Sequence, residues 1–287
     1  MKWFGKAFTS MAMALAVGPA WAGGIGRPDM DEITLQKAVT PIAEEIHFLH
    51  NDILVPIILA ISLLVLGLLL YCVWRFNEKA NPVPSRTSHN TLIEVIWAVC
   101  PVIILIIIAI PSFRLLTHQL VLPKADITIK AIGKQWNWAY EYPKDQGGGF
   151  SFDSQMKKDN ELDPSKGDIR LLAVDNEAVV PVNKVVRVQV VADDVIHSFV
   201  VQSFGIRIDA VPGRLNETWF KADRVGVFYG QCSKLCGKDH AFMPIAIRVV
   251  SDKDYAAWLD DAKKKFASAD PVPIKVAGTA ADAPLQQ

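Results

Sequence analysis

The run ILVPIILAISLLVLGLLLYCVW, residues 53–74, decides the architecture of this chain. It carries no charged side chain and is apolar on every helical face, which suits a helix surrounded by hydrocarbon. About 20 such residues carry a helix across a bilayer core. Trp74 and Arg75 close the run with an amphipathic ring and a snorkelling cation, both stable at the membrane interface.

Toward the C-terminus, residues 75–90 are polar, and Pro82 and Pro84 end any helix there. Arg75, Lys79 and Arg86 predict that this short loop lies on the cytoplasmic side. Residues 91–116 are apolar again, and Pro101 and Pro111 are tolerated because neighbouring groups satisfy the freed carbonyls. The reading is a transmembrane helical hairpin over 52–118 with both ends outside. Toward the N-terminus, residues 1–22 combine Lys2, Lys6, an apolar stretch and Ala20-Trp21-Ala22. That is a secretory signal peptide, with an uncleaved anchor helix as its alternative. Within residues 23–51, Ile33, Leu35, Val39, Ile42, Ile46 and Leu49 recur at roughly helical spacing around Glu44 and Glu45. This predicts an amphipathic segment at the outer membrane surface.

Beyond the hairpin the pattern switches to period two and β-branched residues, at 127–132, 185–191, 198–202, 224–229 and 245–250. Turn signals such as Val211-Pro-Gly-Arg214 separate these runs, so the domain over 124–251 reads as a β-sandwich or Greek-key barrel. The fold class is therefore a membrane-anchored all-β protein. Residues 144–166 read as a polar insertion with little regular signal. Ser251 and Asp254 resemble a capping box opening a helix over 252–266, and 267–287 reads as an Ala/Pro-rich disordered tail.

Composition narrows the function. The 287 residues carry a formal net charge of +0, so no global basic field points to nucleic acid. Of the Cys 4, Cys72 and Cys100 lie in the apolar runs and read as small hydrophobes, which leaves Cys232 and Cys236 for chemistry. The segment from Gly230 to Pro244 packs Cys232, Cys236, His240 and Met243 together, and His197 stands upstream between two strand-like runs. Two thiolates, two imidazoles and a thioether are a soft set that favours copper over magnesium, calcium or manganese. The thioether argues against zinc, whose structural sites use Cys and His. A Cys232–Cys236 disulfide is permitted in an exported domain but leaves His240 and Met243 without a role. A mononuclear blue-copper site needs only one Cys. Two thiolates bridging two coppers, each capped by one imidazole, uses every donor and implies outer-sphere electron transfer.

These residues together resemble subunit II of the haem–copper cytochrome c oxidases, of the bacterial type. The resemblance rests on Gly133-Lys-Gln-Trp-Asn-Trp-Ala-Tyr-Glu-Tyr142, Asp194-Val-Ile-His-Ser198, Asp209-Ala-Val-Pro-Gly-Arg-Leu-Asn216 and the Cys232–Pro244 loop, in that order. Only the signal, the insertion and the tail fall outside it. It implies a cupredoxin-like Greek-key β-barrel holding a dinuclear copper-A centre. Cys232 and Cys236 would bridge, His197 and His240 would be the terminal imidazoles, Met243 a weak axial ligand, and the Lys234 backbone carbonyl the other. The family usually has Glu at that position, where its carboxylate reaches a magnesium ion at the contact with subunit I. An ammonium is a donor only, so Lys234 puts that magnesium site in question.

The resemblance further implies that electrons enter through Trp136, with Trp138 and Tyr140 in the core. Glu141, Asp175, Asp193 and Asp194 would dock cytochrome c. Glu94, in His89-Asn-Thr-Leu-Ile-Glu94, would stand at the mouth of a proton path into subunit I. The implied function is to accept electrons from cytochrome c and pass them to haem in subunit I. There oxygen becomes water and protons are pumped; this chain holds no haem and does no oxygen chemistry. Partners would be subunit I, other oxidase subunits, cytochrome c and membrane lipid. The implied location is the bacterial inner membrane, with the N-terminus and copper domain in the periplasm. A quinol oxidase subunit II would share the architecture but lack the copper ligands, and a nitrous oxide reductase would lack the hairpin.

Overall fold

The computed structural model describes residues 24–28 and 32–266. The signal peptide read at 1–22 and the tail read at 267–287 lie outside the described residues. Residues 41–122 form a helical unit, and residues 1–40 with 123–287 form the other.

In the helical unit, α1 (Pro41–His47) continues through a π-helical turn (Phe48–Leu54) into α2 (Val55–Arg75). After the loop comes α3 (Thr91–Leu120). The continuous helix Pro41–Arg75 and α3 are both long and apolar enough to cross a membrane. Their Leu64, Leu70, Val73, Ile106 and Phe113 side chains are exposed, the outward face that hydrocarbon accepts. Asn90 caps α3 by accepting from the Ile93 N–H at 3.2 Å, and Glu94 Oε1 accepts from the Asn90 N–H at 3.3 Å. At the other end of α3, His118 Nδ1 meets Glu45 Oε1 of α1 at 2.9 Å.

Of the described residues in the 23–51 stretch, those from Pro41 on are helical, and there the helix runs straight on into α2. Residues 32–40 are not helical. A proline disfavours helical geometry in the residue before it, which marks the boundary at Thr40. Val39 is instead buried in the β unit. Its N–H donates to the Ser203 carbonyl at 3.1 Å, and its own carbonyl accepts from Asp223 N–H at 3.0 Å.

The β unit contains, among the described residues, two five-stranded sheets. One has the order β3-β2-β1-β5-β8 and the other β4-β10-β9-β6-β7. The strands are β1 (Ile127–Lys134), β2 (Asn137–Tyr142), β3 (Phe150–Ser154), β4 (Ala178–Pro181) and β5 (Val186–Ala192). They continue with β6 (His197–Val201), β7 (Ile206–Ala210), β8 (Asn216–Phe220), β9 (Gly226–Cys232) and β10 (Pro244–Val250). β1 with β5 and β4 with β10 pair in parallel, while the other neighbours are antiparallel. Parallel neighbours cannot be joined by hairpins, so the chain crosses between sheets in Greek-key fashion. Alternate residues Val186, Val188 and Val190 enter the core with Trp138, Phe199, Phe228 and Ile247, all buried. That alternation, rather than strand propensity, is what pairs the two sheets face to face.

One strand lies inside the stretch read as an irregular insertion. Phe150 and Phe152 of β3 alternate inward; Phe150 stacks on Tyr142 at 5.2 Å and Phe152 on Phe266 at 4.7 Å. The short Phe-Ser-Phe period is masked in sequence by the flanking glycines and lysines. Phe266 belongs to α4 (Asp252–Phe266), whose first turn is capped by Ser251 Oγ accepting from Asp254 N–H at 3.2 Å.

Candidate metal centre

Several strand ends meet at one end of the sandwich. Gly133 of β1 pairs with Ala192 at the end of β5, and Cys232 at the end of β9 pairs with Phe199 of β6. His197 is the first residue of β6 and Pro244 the first of β10. The loop between β9 and β10 is therefore anchored at both ends by strands. Ser233 N–H adds a bond to the Ser198 carbonyl at 3.1 Å.

Five side chains and one carbonyl converge on this loop. Cys232 Sγ and Cys236 Sγ are 3.9 Å apart and both cysteines are free thiols. On one side His197 Nδ1 lies 3.9 Å and the Lys234 carbonyl 3.3 Å from Cys232 Sγ. On the other, His240 Nδ1 lies 3.5 Å and Met243 Sδ 3.6 Å from Cys236 Sγ. The His197, Cys232 and Cys236 donor atoms lie within 4.8 Å of one another, and His197 is 0% exposed.

The electrostatics ask for a cation. Burial pushes the Cys232 thiol up, but hydrogen bonds from His197 and the loop backbone outweigh it and leave Cys232 readily ionised. Burial and the neighbouring Cys232 charge both push Cys236 up. Cys236 would ionise beside the charged Cys232 only with positive charge close by, which a soft metal ion would supply. The donor set of two sulfurs, two imidazole nitrogens and a thioether fits copper.

Asp194 sets the imidazole. Its Oδ1 accepts from His197 Nε2 at 2.8 Å, and its carboxylate also accepts from the Gln135 and Val195 backbone N–H groups, both at 2.6 Å. Burial raises Asp194, but the bond from His197 and those two N–H groups bring it below the usual carboxylate range. Asp194 holds a proton on Nε2, so Nδ1, which bonds Cys232 Sγ in this structure, is the nitrogen that would turn its lone pair to a metal once deprotonated.

The β1–β2 turn packs over the same loop. Gln135 Nε2 and Trp136 Nε1 both donate to the Cys236 carbonyl, at 3.0 and 3.1 Å, and Trp138 Nε1 donates to the Met243 carbonyl at 3.3 Å. Trp138 is buried edge-on to the His197 ring at 6.1 Å, whereas Trp136 is half-buried at the rim. Gly133 lets β1 lie close against the imidazole: a Cβ there would sit 2.9 Å from His197 Cδ2. Gly237 holds φ at +126°, and a Cβ on it would lie 2.8 Å from the Trp136 ring.

The other expected residues are distributed unevenly. Asp193 is exposed beside the cluster, its N–H on the Gly133 carbonyl at 3.0 Å. Asp194 is exposed as well, with its Oδ1 on His197 Nε2. Glu141 pairs with Lys130 at 3.2 Å in the β1–β2 ladder. Asp175 accepts from Gln155 and Asn176 N–H, both at 2.7 Å, in a cleft lined by Arg248, Trp258 and Lys265. Among the described residues no hydrogen bond joins those two carboxylates to the ligand cluster. The Lys234 side chain is exposed, and Glu94 stands in the helical unit at the start of α3. Gln135 and Trp138, which hold the loop, were not singled out as site residues by sequence; the Lys-Gln-Trp-Asn-Trp motif was their only signal.

Membrane-spanning helices joined to a two-sheet β domain with a soft-donor cluster define a class, the membrane-anchored cupredoxin-like proteins. Family models fix the kind within that class. "Cytochrome C oxidase subunit II, periplasmic domain" matches residues 127–250, and the transmembrane domain of the same subunit matches 28–115. The chain is 52% identical over 233 residues to "Probable cytochrome c oxidase subunit 2" of Rickettsia felis, covering 81% of this chain and 72% of that one. To cytochrome c oxidase subunit 2 of Cereibacter sphaeroides it is 47% identical over 255 residues, covering 83% of each. The crystal structure of the periplasmic domain of subunit II of cytochrome oxidase from Bradyrhizobium japonicum is 65% identical. It covers 51% of this chain and 99% of that one, with a TM-score of 0.47. The chain belongs to the cytochrome c oxidase subunit II family, and as such is a membrane-bound subunit of that oxidoreductase.

Proposed function

We propose that this chain accepts single electrons from cytochrome c at a dinuclear copper centre and passes them to haem in subunit I, where oxygen is reduced to water and protons are pumped. The observation that carries the reading is the convergence of both thiols, both Nδ1 atoms, the Met243 thioether and the Lys234 carbonyl on one buried space. Cys232 and Cys236 would hold both ions, and His197, His240, Met243 and the Lys234 carbonyl would supply the remaining donors. Copper bound there supplies a one-electron carrier whose unpaired electron is spread over two ions. The protein's part is to hold the donors still: Asp194 fixes His197, and the β1–β2 turn fixes the Cys236 and Met243 backbone. No magnesium is assigned at Lys234, since an ammonium cannot ligate a cation.

Electrons enter through Trp136, whose indole N–H touches the carbonyl of a bridging cysteine. Asp193 and Asp194 beside the cluster, with Glu141 and Asp175, dock a lysine-rich cytochrome c. Such complementarity raises the encounter rate. Glu94 opens the proton path from the cytoplasmic side, and the β domain faces the periplasm of a bacterial inner membrane. The support for that orientation is the basic loop Arg75, Lys79 and Arg86. The test is stopped-flow oxidation of reduced cytochrome c by the purified oxidase with Trp136→Phe. An intact copper spectrum with at least about tenfold slower electron transfer supports the reading. Unchanged transfer contradicts it.

A further inference from the structure

One uncharged residue reaches both halves of the ligand cluster, one through its backbone and the other through its side chain. Gln135 donates its backbone N–H to Asp194 Oδ2 at 2.6 Å and its Nε2–H to the Cys236 carbonyl at 3.0 Å. Asp194 in turn holds His197 Nε2 at 2.8 Å. His197 and Cys236, on different elements, are thus joined by three hydrogen bonds through a residue with no metal-binding chemistry of its own.

The loop depends on outside donors. Between Cys236 and Met243 its described internal backbone bonds are two short local turns, His240 N–H on the Gly237 carbonyl at 3.3 Å and Phe242 N–H on the Asp239 carbonyl at 2.9 Å. Bonds reaching it from the β1–β2 turn come from Gln135, Trp136 and Trp138. A carbonyl oxygen has two lone pairs, and Gln135 and Trp136 occupy both on Cys236. That carbonyl is held away from the sulfurs, while the Lys234 carbonyl lies 3.3 Å from Cys232 Sγ.

We infer that Gln135 is a positioning residue for the copper centre, an inference that rests on the copper reading above. Its carboxamide fixes the Cys236 peptide, and with it the direction of Cys236 Sγ. It also keeps the Lys234 carbonyl, rather than that of Cys236, turned to the metal space. Trp136 alone leaves the Cys236 peptide free to pivot about a single bond. The backbone N–H to Asp194 survives every substitution at Gln135 except proline, so a side-chain variant isolates the Cys236 arm and leaves His197 held.

The test uses the full-length chain in detergent, loaded with copper, with Gln135→Met and Gln135→Glu as variants of matched length that lack the donor. Gln135→Lys keeps a donor of similar reach. Metal sites lose about tenfold or more in affinity when such an outer hydrogen bond is removed. Copper release to a chelator should accelerate by that factor in the Met and Glu variants, with altered copper hyperfine couplings, and return toward wild type in the Lys variant. The metal-free thermal midpoints should stay at the wild-type value. Wild-type release and hyperfine couplings in Gln135→Met overturn the inference. So does a lowered metal-free midpoint that accounts for the faster release, which makes the residue merely structural. Wild-type protein lacking the shared-electron signature would instead contradict the dinuclear reading itself, a distinct outcome.

Discussion

Asp194 and His197 face each other across three residues of sequence, the carboxylate Oδ1 2.8 Å from the imidazole Nε2. The pair decides which nitrogen is offered to the metal. Replacing Asp194 by Ala should free the ring to rotate and exchange tautomer, and outer-shell losses of this kind cost about 10–100-fold in metal affinity. Competition with a copper chelator measures it; wild-type affinity in Asp194→Ala would remove the residue from this role.

Asp193, its exposed neighbour, should behave differently. Asp193→Asn should leave copper binding unchanged and slow association with cytochrome c chiefly at low salt, because exposed charges are screened over about 10 Å at 0.1 M. Stopped-flow rates across ionic strength separate the two residues. A copper defect in Asp193→Asn would contradict the assignment.

At Gly133 the backbone lies against the His197 ring. Gly133→Ala places a methyl 2.9 Å from His197 Cδ2, so the ring or β1 must shift. Overpacking costs ~1–3 kcal/mol. A lower thermal midpoint of the metal-free protein and weaker copper binding should appear together.

The stretch after β3 carries its own pH dependence. Lys157 Nζ lies 2.7 Å from Asp168, and with the Asp163 N–H it holds the Asp168 carboxyl below its usual range. A carboxylate depressed in the folded state stabilises above its unfolded pKa, and that contribution is lost as pH falls through the folded value. The midpoint difference between wild type and Asp168→Asn should therefore be present at neutral pH and vanish in acid. A difference that persists or grows in acid contradicts the sign.

Much of this was legible in the sequence, for identifiable reasons. The hairpin was readable because lipid demands unbroken apolar runs, and the cluster of soft donors because such residues are rare and their spacing in Cys232–Met243 is tight. What escaped depended on direction and partners. Asp194 is exposed, as a docking carboxylate would be, but its bond to His197 Nε2 is a contact that sequence does not report. β3 escaped because only Phe150 and Phe152 signal it between glycines and lysines. β7 escaped because it lies at a sheet edge, where Arg207 is exposed and the inward period is broken. Val39 matched a helical spacing by coincidence, and its burial against Ser203 and Asp223 is a long-range contact no local period reports.

The most direct test of the central claim is the EPR spectrum and copper content of the purified full-length chain in detergent, loaded with copper. The account predicts two coppers per chain and a hyperfine pattern from one electron shared equally by two copper nuclei. Both should be lost in Cys232→Ser and Cys236→Ser. One copper per chain with a single-nucleus pattern would contradict it.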